Sequence, residues 1–260
     1  MMKKVFCFLF IYMLFMTYSF GKDIRFAQIT DVNYSKGHDN TALHNVIKDI
    51  NKQKNIDFVV FTGDNIQKPD KKDLESFLKE AKKLKKSFYV LIGDREVNKY
   101  KNLSKKEYAD ILRKNLKNYR NNNLNYAFER GGVVFIVVDG AKDVIPSTNG
   151  YFKEDVLDWL NANLDLYQKK NVVILQHFPL IPPEDNESYM TLKTDKYLDI
   201  VKKHSNVISI ISGHFGINKE ENIDGVVHVS TAPIPNYRII DIVDCNTKTP
   251  SIWAEIRTAE

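Results

Sequence analysis

The fold is decided by the stretch Phe58-Val-Val-Phe-Thr-Gly-Asp64. Its first four residues are β-branched or aromatic, which is typical of a buried strand, and the run stops abruptly at a carboxylate. Four other stretches end in the same way, residues 25–31, 88–94, 172–177 and 207–214, and their last residues are Asp31, Asp94, His177 and His214. The repetition predicts five buried strands, each with a polar residue at its carboxyl end.

The polar strand ends predict a shared site. In open α/β sheets, ligands collect in the crevice outside the carboxyl ends of the strands. Three carboxylates and two imidazoles that meet in such a crevice have the chemistry of a metal site. Alternatively, each residue only caps a helix or opens a turn. That alternative does not explain why the pattern occurs five times.

The segments between the strands predict helices. Apolar residues recur at helical spacing within residues 42–50 and 74–84, between strands predicted at 24–29, 58–61 and 88–92. Such alternation predicts βαβ units and a parallel sheet. A further helix is expected at 105–119, with Ser104 as its N-cap and Glu107 at the capping-box position.

The second half of the chain contains more β structure. Residues 125–138 predict a hairpin that turns at Gly131-Gly132, and helices are expected at 153–167 and 197–203. The last strands are expected at 226–229, 237–243 and 251–256. These patterns predict an α/β protein with one mixed sheet or two packed sheets, with helices outside. The absence of repeats and of a Pro/Gly/Ser-rich linker favours one domain.

The first 21 residues have the layout of a secretory signal peptide. Lys3 and Lys4 precede an apolar run at residues 5–16, and Ser19 and Gly21 supply small residues for cleavage. The run is short of the about 20 residues that a membrane span needs. We therefore expect a secreted or periplasmic chain, residues 22–260, without a stable membrane span. Cleavage would leave Cys245 as the one cysteine, so no intramolecular disulfide is expected.

The charge of the chain is weak. The formal net charge is +5, and it falls to +3 when Lys3 and Lys4 are removed. This is too little to predict a nucleic-acid partner, so the lysine-rich residues 79–86 and 99–106 are interpreted as solvated surfaces. The sequence leaves the oligomeric state open.

The ordered strand ends resemble the motifs of the calcineurin-like metallophosphoesterases. That family reads Asp-x-His, Gly-Asp, Gly-Asn-His with an acid, a lone His after a strand, and Gly-His-x-His. The matching stretches here are Asp31-Val-Asn33, Gly63-Asp64, Gly93-Asp94-Arg95-Glu96, Gln176-His177 and Gly213-His214-Phe-Gly216. The resemblance covers essentially all of residues 22–260. It implies two packed, mainly mixed β-sheets flanked by helices in a four-layer sandwich.

The resemblance also implies metal ligands. Asp64 matches a carboxylate that bridges two ions, Asp31 matches a ligand of the first ion, and Asp94, His177 and His214 match ligands of the second. Three positions depart from the family, because Asn33 and Gly216 replace first-metal histidines and Arg95 replaces the histidine that protonates the leaving group. We therefore expect one divalent ion per chain, with Mn, Fe, Zn and Mg not distinguished.

Arg95 and Asp31 are the candidate catalytic residues. We expect the guanidinium of Arg95 near the vacated first-metal position, paired with Asp31 or with a substrate phosphate. Arg95 cannot act as a general acid, because its pKa is too high. Alternatively, Arg95 is a surface residue of its loop. His38 could supply a lost ligand or acid, and Tyr34 and Tyr189 could line a substrate pocket.

Three functions are consistent with the sequence. The first is an exported metal-dependent phosphoesterase that hydrolyses a phosphomonoester or phosphodiester. The second is an inactive pseudophosphoesterase that binds a phosphorylated ligand or a protein partner. In the third, only the scaffold is shared and the function lies on another surface.

Overall fold

The computed structural model describes residues 23–121 and 123–260. The predicted signal peptide, residues 1–21, lies outside these ranges. In the described ranges the helices are α1 (Thr41–Lys52), α2 (Lys71–Ala81), α3 (Lys105–Asn115), α4 (Glu154–Leu166) and α5 (Asp195–Lys203). The strands are β1 (Ile24–Ile29), β2 (Phe58–Phe61), β3 (Phe88–Val90), β4 (Tyr126–Arg130), β5 (Val133–Val137), β6 (Val172–Leu175), β7 (Val207–Ser212), β8 (Lys219–Ile223), β9 (Val226–Ser230), β10 (Asn236–Val243) and β11 (Ser251–Thr258).

The strands form two mixed sheets. The first has the order β11-β10-β1-β2-β3, with β1, β2 and β3 parallel to one another and β10 and β11 in antiparallel pairings. The second has the order β4-β5-β6-β7-β9-β8, in which β5, β6, β7 and β9 are parallel. The predicted α/β fold with two packed sheets and flanking helices is therefore confirmed.

Aromatic side chains fill the space between the sheets. Phe26 and Phe58 of the first sheet stack with ring centroids 4.8 Å apart, and Phe135 of the second sheet meets both of them edge-on at 5.5 and 5.1 Å. Phe128 stacks on Phe135 at 5.1 Å. These rings join the two sheets through one buried apolar cluster.

The helices bury one apolar face each. In α1 this face consists of Leu43, Val46, Ile47 and Ile50, which recur at the spacing predicted from the sequence. The helix α3 begins at the predicted cap, but it ends at Asn115 instead of continuing to residue 119. In the described ranges, no helix has both the length and the apolar character needed to cross a membrane.

The hairpin between β4 and β5 turns where the sequence predicts. Arg130 pairs with Val133, which leaves Gly131 and Gly132 as a two-residue loop, and their φ angles are +56° and +91°. Two consecutive positive φ angles are the geometry of a type I′ turn, which glycine adopts without strain.

Candidate metal centre

Four of the five polar strand ends converge above the two sheets. Asp64 follows β2 and Asp94 follows β3 in the first sheet, while His177 and His214 follow β6 and β7 in the second. One donor atom from each of these residues lies within 4.8 Å of the others. The packing of the sheets therefore gathers side chains that are separated by as many as 150 positions in the sequence.

The donor atoms have the spacing of metal ligands. Nε2 of His177 lies 3.5 Å from Oδ1 of Asp64 and 3.3 Å from Oδ1 of Asp94. Nδ1 of His214 lies 3.2 Å from Oδ1 of Asp94 and 3.1 Å from Nε2 of His177. Neighbouring ligands of an octahedral or tetrahedral ion with bonds of about 2.0–2.2 Å lie about 2.8–3.6 Å apart. These four distances therefore match the spacing of ligands around a divalent cation.

Hydrogen bonding outside the cluster orients His177. Its Nδ1 lies 2.8 Å from the carbonyl oxygen of Thr62, to which an Nδ1–H donates. This contact leaves Nε2 directed at the cluster, an arrangement common for histidine ligands. His177 is fully buried. The neighbouring Oδ1 of Asp94 is also buried, and it has no hydrogen-bond partner of normal geometry. Such an unsatisfied oxygen fits the chemistry of a cation ligand.

The charges of the cluster shift the pKa values of its members. Burial opposes a charge on His177, but Asp64, Asp94 and Asp31 outweigh that effect and raise its pKa to about 10. Burial raises the pKa of Asp64 well above its usual value, and Glu96, Asp94 and Asp31 add to this shift. Burial also acts on Asp94, yet His177 and His214 lower its pKa overall. The cluster therefore stabilises positive charge at its centre.

Glycines allow the donors to approach one another. A Cβ atom on Gly63 would lie 2.6 Å from Nδ1 of His177, and one on Gly93 would lie 2.3 Å from Oδ1 of Asp64. A Cβ on Gly213 would lie 1.9 Å from Oγ1 of Thr30. These distances explain physically why a glycine precedes Asp64, Asp94 and His214.

Arg95 contacts Asp64 and not Asp31. The backbone N–H of Arg95 donates to Oδ1 of Asp64 at 3.0 Å, and its Nε donates to Oδ2 at 3.1 Å. The expected pairing with Asp31 is therefore corrected. Arg95 follows β3, whose neighbour in the sheet is β2, so Asp64 is closer to it than Asp31 at the end of β1. The side chain of Arg95 is 46% exposed, so it faces both the cluster and solvent.

Asp31 lies outside the group of four donors. Its Oδ2 accepts hydrogen bonds from Oγ1 of Thr30 at 2.6 Å and from the backbone N–H of His214 at 3.0 Å. The carboxylate therefore ties the end of β1 to the loop that carries a histidine donor. Its role as a metal ligand or catalytic residue stays a prediction.

Positions 33 and 216, where the family has histidine ligands of the first metal, carry no histidine in this chain. The amide of Asn33 donates to the carbonyl of Asp31 at 3.0 Å. A Cβ on Gly216 would meet only the Pro233 ring, at 3.8 Å, so this position has room for a side chain. His38 is exposed on the turn before α1 and is not one of the four clustered donors. Tyr34 is buried, whereas the ring of Tyr189 lies 5.3 Å from that of His214.

Glu96 accepts hydrogen bonds from the loops that carry the carboxylate donors, and the sequence did not predict this role. It is fully buried, and its Oε2 accepts from the backbone N–H of Gly93 at 2.6 Å and of Asp64 at 3.1 Å. Its Oε1 accepts from Asn65 and, at 3.2 Å, from Ile66. Burial raises the pKa of Glu96 to about 7, although His177 and the backbone donors act to lower it. The sequence signal that could have identified Glu96 is its position as an acidic residue two places after Asp94.

Backbone strain is concentrated at the site. Asp31, Asn33, Asp64 and His214 all have positive φ angles, between +50° and +76°. Residues other than glycine rarely adopt this conformation, and it clusters at functional positions. Four of the seven non-glycine residues with positive φ in the described ranges therefore lie at or beside the site.

Comparisons with known proteins agree with this geometry. The family model described as calcineurin-like phosphoesterase matches residues 24–217. A probable glycerophosphodiester phosphodiesterase GpdQ from Arcobacter nitrofigilis is 25% identical over 191 residues, which cover 70% of this chain and 64% of that protein. The chain therefore spans less than two thirds of the length of that relative.

Solved structures share the fold. A dimetal phosphatase from Danio rerio superposes with a TM-score of 0.66 at 14% identity, covering 91% of this chain and 99% of that one. The calcineurin-like phosphoesterase YfkN from Bacillus subtilis gives a TM-score of 0.57 at 15% identity, covering 91% and 90%. GAP50 from Plasmodium gives 0.59 at 14% identity, covering 92% and 89%.

Proposed function

Because the chain belongs to the calcineurin-like phosphoesterase family, we propose that it hydrolyses a phosphomonoester or phosphodiester with one well-formed divalent metal site. The observation that carries the proposal is the group of four donors, Asp64, Asp94, His177 and His214, within 4.8 Å of one another. Carboxylate oxygens and imidazole nitrogens are the ligands that divalent first-row ions take in hydrolytic sites.

The contacts of Asp64 support a single ion. The family resemblance assigns this carboxylate to two ions. Here Oδ1 faces His177 at 3.5 Å, while Oδ2 is held by Nε of Arg95 at 3.1 Å. The guanidinium therefore supplies a positive charge beside Asp64, which would compete with a second ion. The single positive charge of Arg95 and the two positive charges of one divalent ion would together balance the three carboxylates of Asp31, Asp64 and Asp94.

The chain's own residues define the reaction. When bound, the ion would polarise the phosphoryl group and activate a water molecule. The terminal nitrogens of Arg95 make no hydrogen bond within the described ranges, so they are free to grip two phosphate oxygens. Arg95 cannot protonate a leaving group. The enzyme would therefore favour esters whose alcohol leaves as an anion, such as aryl esters.

The first test combines metal content with turnover. Residues 22–260 should bind about one equivalent of metal and hydrolyse p-nitrophenyl phosphate or its bis-ester in Mn, Fe, Zn or Mg. The substitution Asp64→Asn should remove the metal and lower kcat/KM by at least about 100-fold, because it removes a ligand and the partner of Arg95. Inductively coupled plasma mass spectrometry and p-nitrophenolate release measure the two quantities.

A matched control makes this test specific. Asp158→Asn removes the same charge from an exposed position on α4, and both metal content and turnover should stay unchanged. Two equivalents of metal in the unmodified chain would contradict the single site. Metal binding without turnover of either ester would contradict the hydrolase.

Restoring the family residues tests the interpretation of Arg95. The combined substitutions Asn33→His, Arg95→His and Gly216→His should raise the metal content from about one to about two equivalents. Gly216 has room for a side chain, although its φ of +73° adds strain. A metal content that stays at one equivalent in the folded variant would show that Arg95 does not stand in for an ion.

A second function is supported by the same three departures. A pseudophosphoesterase that binds a phosphorylated ligand or a protein partner would also lack the acid at position 95 and the histidines at 33 and 216. Binding of a phosphate ester that is never consumed, measured by calorimetry and by phosphate release, would favour it over the hydrolase.

We further propose that the chain is exported. The support is the order of Lys3, Lys4, the apolar residues 5–16 and the small residues Ser19 and Gly21. N-terminal sequencing of the exported protein should start near Lys22. Retention of residues 1–21 in the exported chain would contradict cleavage.

A further inference from the structure

Exposed apolar side chains are concentrated on three loops beside the metal cluster. In the described part of the chain, eight large hydrophobic residues are exposed. Five of them lie on the loops that follow β3, β5 and β6: Tyr100, Val144, Ile145, Tyr189 and Leu192. Ile145 is 78% exposed and Tyr100 is 74% exposed. Apolar residues gathered in this way mark an interaction surface.

Hydrogen bonds tie the three loops into one surface. The backbone N–H of Lys99 donates to the carbonyl of Asp143 at 2.7 Å, which joins the first loop to the second. The Asn149 amide donates to the carbonyl of Met190 at 3.0 Å, and the N–H of Leu192 donates to the carbonyl of Gly150 at 2.8 Å. We call residues 99–101, 142–145 and 189–193 the loop surface.

The loop surface borders the metal cluster. Asp94 and His177 begin the first and third of these loops, so donors and apolar residues share the same chain segments. At the inner edge, the ring of Tyr189 lies 5.3 Å from that of His214. A molecule held on the loop surface would therefore lie next to the metal site.

The loop surface is basic. Lys99, Lys101, Lys142 and Lys193 alternate with its apolar residues, and none of them forms a salt bridge within residues 23–121 and 123–260. Asp143 is the acidic residue inside it.

Acidic residues nearby do not reverse this charge. Glu187 lies beside the surface, because its carbonyl accepts from the Asn149 amide at 2.7 Å. Glu184 and Asp185 follow Pro183, which lines a small cavity together with Lys219 and Glu221 of β8. That part of the loop therefore lies near β8.

We propose that the loop surface docks on an anionic lipid membrane. Aromatic and aliphatic tips next to lysines are the features with which proteins enter the interface of an anionic bilayer. A protein partner is less compatible with the composition, because lysine is depleted from protein–protein interfaces. Docking in this orientation brings the metal cluster close to lipid headgroups. The membrane contact itself does not depend on the proposed hydrolysis.

Vesicle sedimentation tests the docking. Residues 22–260 should sediment with phosphatidylcholine vesicles that contain phosphatidylserine and should stay in solution with phosphatidylcholine alone. The double substitution Tyr100→Ser with Ile145→Ser should weaken this partition by about tenfold or more, because it removes the two most exposed tips. Leu166→Ser is the matched control, since Leu166 is 71% exposed at the end of α4, outside the loop surface.

A second pair of variants tests the charge. Lys101→Gln with Lys142→Gln should weaken binding to anionic vesicles by about tenfold, and added salt should weaken the unmodified chain in the same direction. Lys72→Gln with Lys79→Gln removes two lysines from α2 as a control, and binding should be kept.

Several outcomes would overturn the docking. These are no partition into anionic vesicles, equal partition without phosphatidylserine, or equal loss in the control variants. Dimers that dissociate on Tyr100→Ser with Ile145→Ser, measured by light scattering, would identify a protein interface instead. Sedimentation of Asp64→Asn separates the two proposals, because docking should persist in this variant while hydrolysis of soluble esters is lost.

Discussion

At the scale of single residues, Glu96 holds the two loops that carry the carboxylate donors. One side chain accepts from four backbone N–H groups, three on the loop after β2 and one on the loop after β3. The position of Asp64 therefore depends on a residue that does not itself belong to the donor group.

The substitution Glu96→Gln tests this dependence. An amide offers an N–H₂ group where two backbone donors need an acceptor, so we expect the free energy of unfolding to fall by about 2–3 kcal/mol. Urea denaturation followed by circular dichroism measures the change. Metal affinity should fall as well, because the loop that carries Asp64 loses its support.

Glu154→Gln provides the comparison for Glu96. This carboxylate is 72% exposed and pairs with Lys196 at the surface of α4, so a change within about 0.5 kcal/mol is expected. A loss of stability in Glu96→Gln no larger than this would show that the four backbone contacts do not stabilise the site.

At the scale of elements, the sequence predicts the N-terminal cap of α3 correctly, but it places the end of this helix too late. The Ser104 side chain accepts from the N–H of Glu107, and the Glu107 side chain accepts from the N–H of Ser104, which completes a capping box. The helix then ends at Asn115, because Leu116 is extended, with φ of −118°. The amide of Asn118 donates to the carbonyl of Phe88, which directs the chain toward β3. This contact has no local signal.

The capping box predicts a pH-dependent contribution to stability. Lys71 and the donors of Ser104 lower the pKa of Glu107 to about 2, from about 4.5 in an unfolded chain. A lowered pKa stabilises the fold above about pH 5, and the contribution is lost as the pH falls toward 2. Glu107 is 42% exposed, so Glu107→Gln should cost only about 0.5–1 kcal/mol at pH 7.

Unfolding in urea at pH 7 and pH 3 measures this effect. The difference between Glu107→Gln and the unmodified chain should shrink at pH 3, where the unfolded carboxyl is protonated. Glu75→Gln, on the exposed face of α2, should show no difference at either pH. A Glu107→Gln difference that grows on acidification would contradict the assignment.

The strand β8 shows what local pattern misses. Lys219–Ile223 has three charged residues and no alternation of apolar side chains, so the sequence predicted no strand there. The strand forms by pairing with β9 through a two-residue loop, Asp224-Gly225, with φ angles of +51° and +87°. An Asp-Gly pair is a strong hairpin signal, so the turn could have been found where the strand could not.

At the scale of the whole molecule, the aromatic layer couples the two sheets. Phe135 of β5 contacts Phe26 and Phe58 in the opposite sheet and Phe128 in its own. Since the donors of the metal cluster come from both sheets, this packing also sets their distances.

The substitution Phe135→Ala should therefore affect the whole chain. We expect the free energy of unfolding to fall by about 3–5 kcal/mol, because a cavity opens between the sheets.

Because both sheets share one apolar cluster, unfolding should stay a single transition, with tryptophan fluorescence and circular dichroism giving the same midpoint. Trp253→Ala, which truncates a ring that is 66% exposed on β11, should change stability by less than about 1 kcal/mol. Two separate transitions would contradict the one-domain prediction.

The sequence by itself determined most of the elements and the polar residues at the strand ends. Short β-branched runs, helical spacing and the Gly-Asp and Gly-His pairs are local patterns, so they predicted the α/β class and the four residues that cluster, Asp64, Asp94, His177 and His214. Local patterns carry this information because the backbone conformation of each segment depends mainly on its near neighbours in the chain.

Only the tertiary structure decided which of these residues meet. The order of strands and the packing of one sheet on the other bring Asp64, Asp94, His177 and His214 together. The same packing pairs Arg95 with Asp64, turns Asp31 toward the His214 loop and buries Glu96. Distances between residues far apart in the sequence follow from sheet order and close packing, which no single segment of the chain encodes.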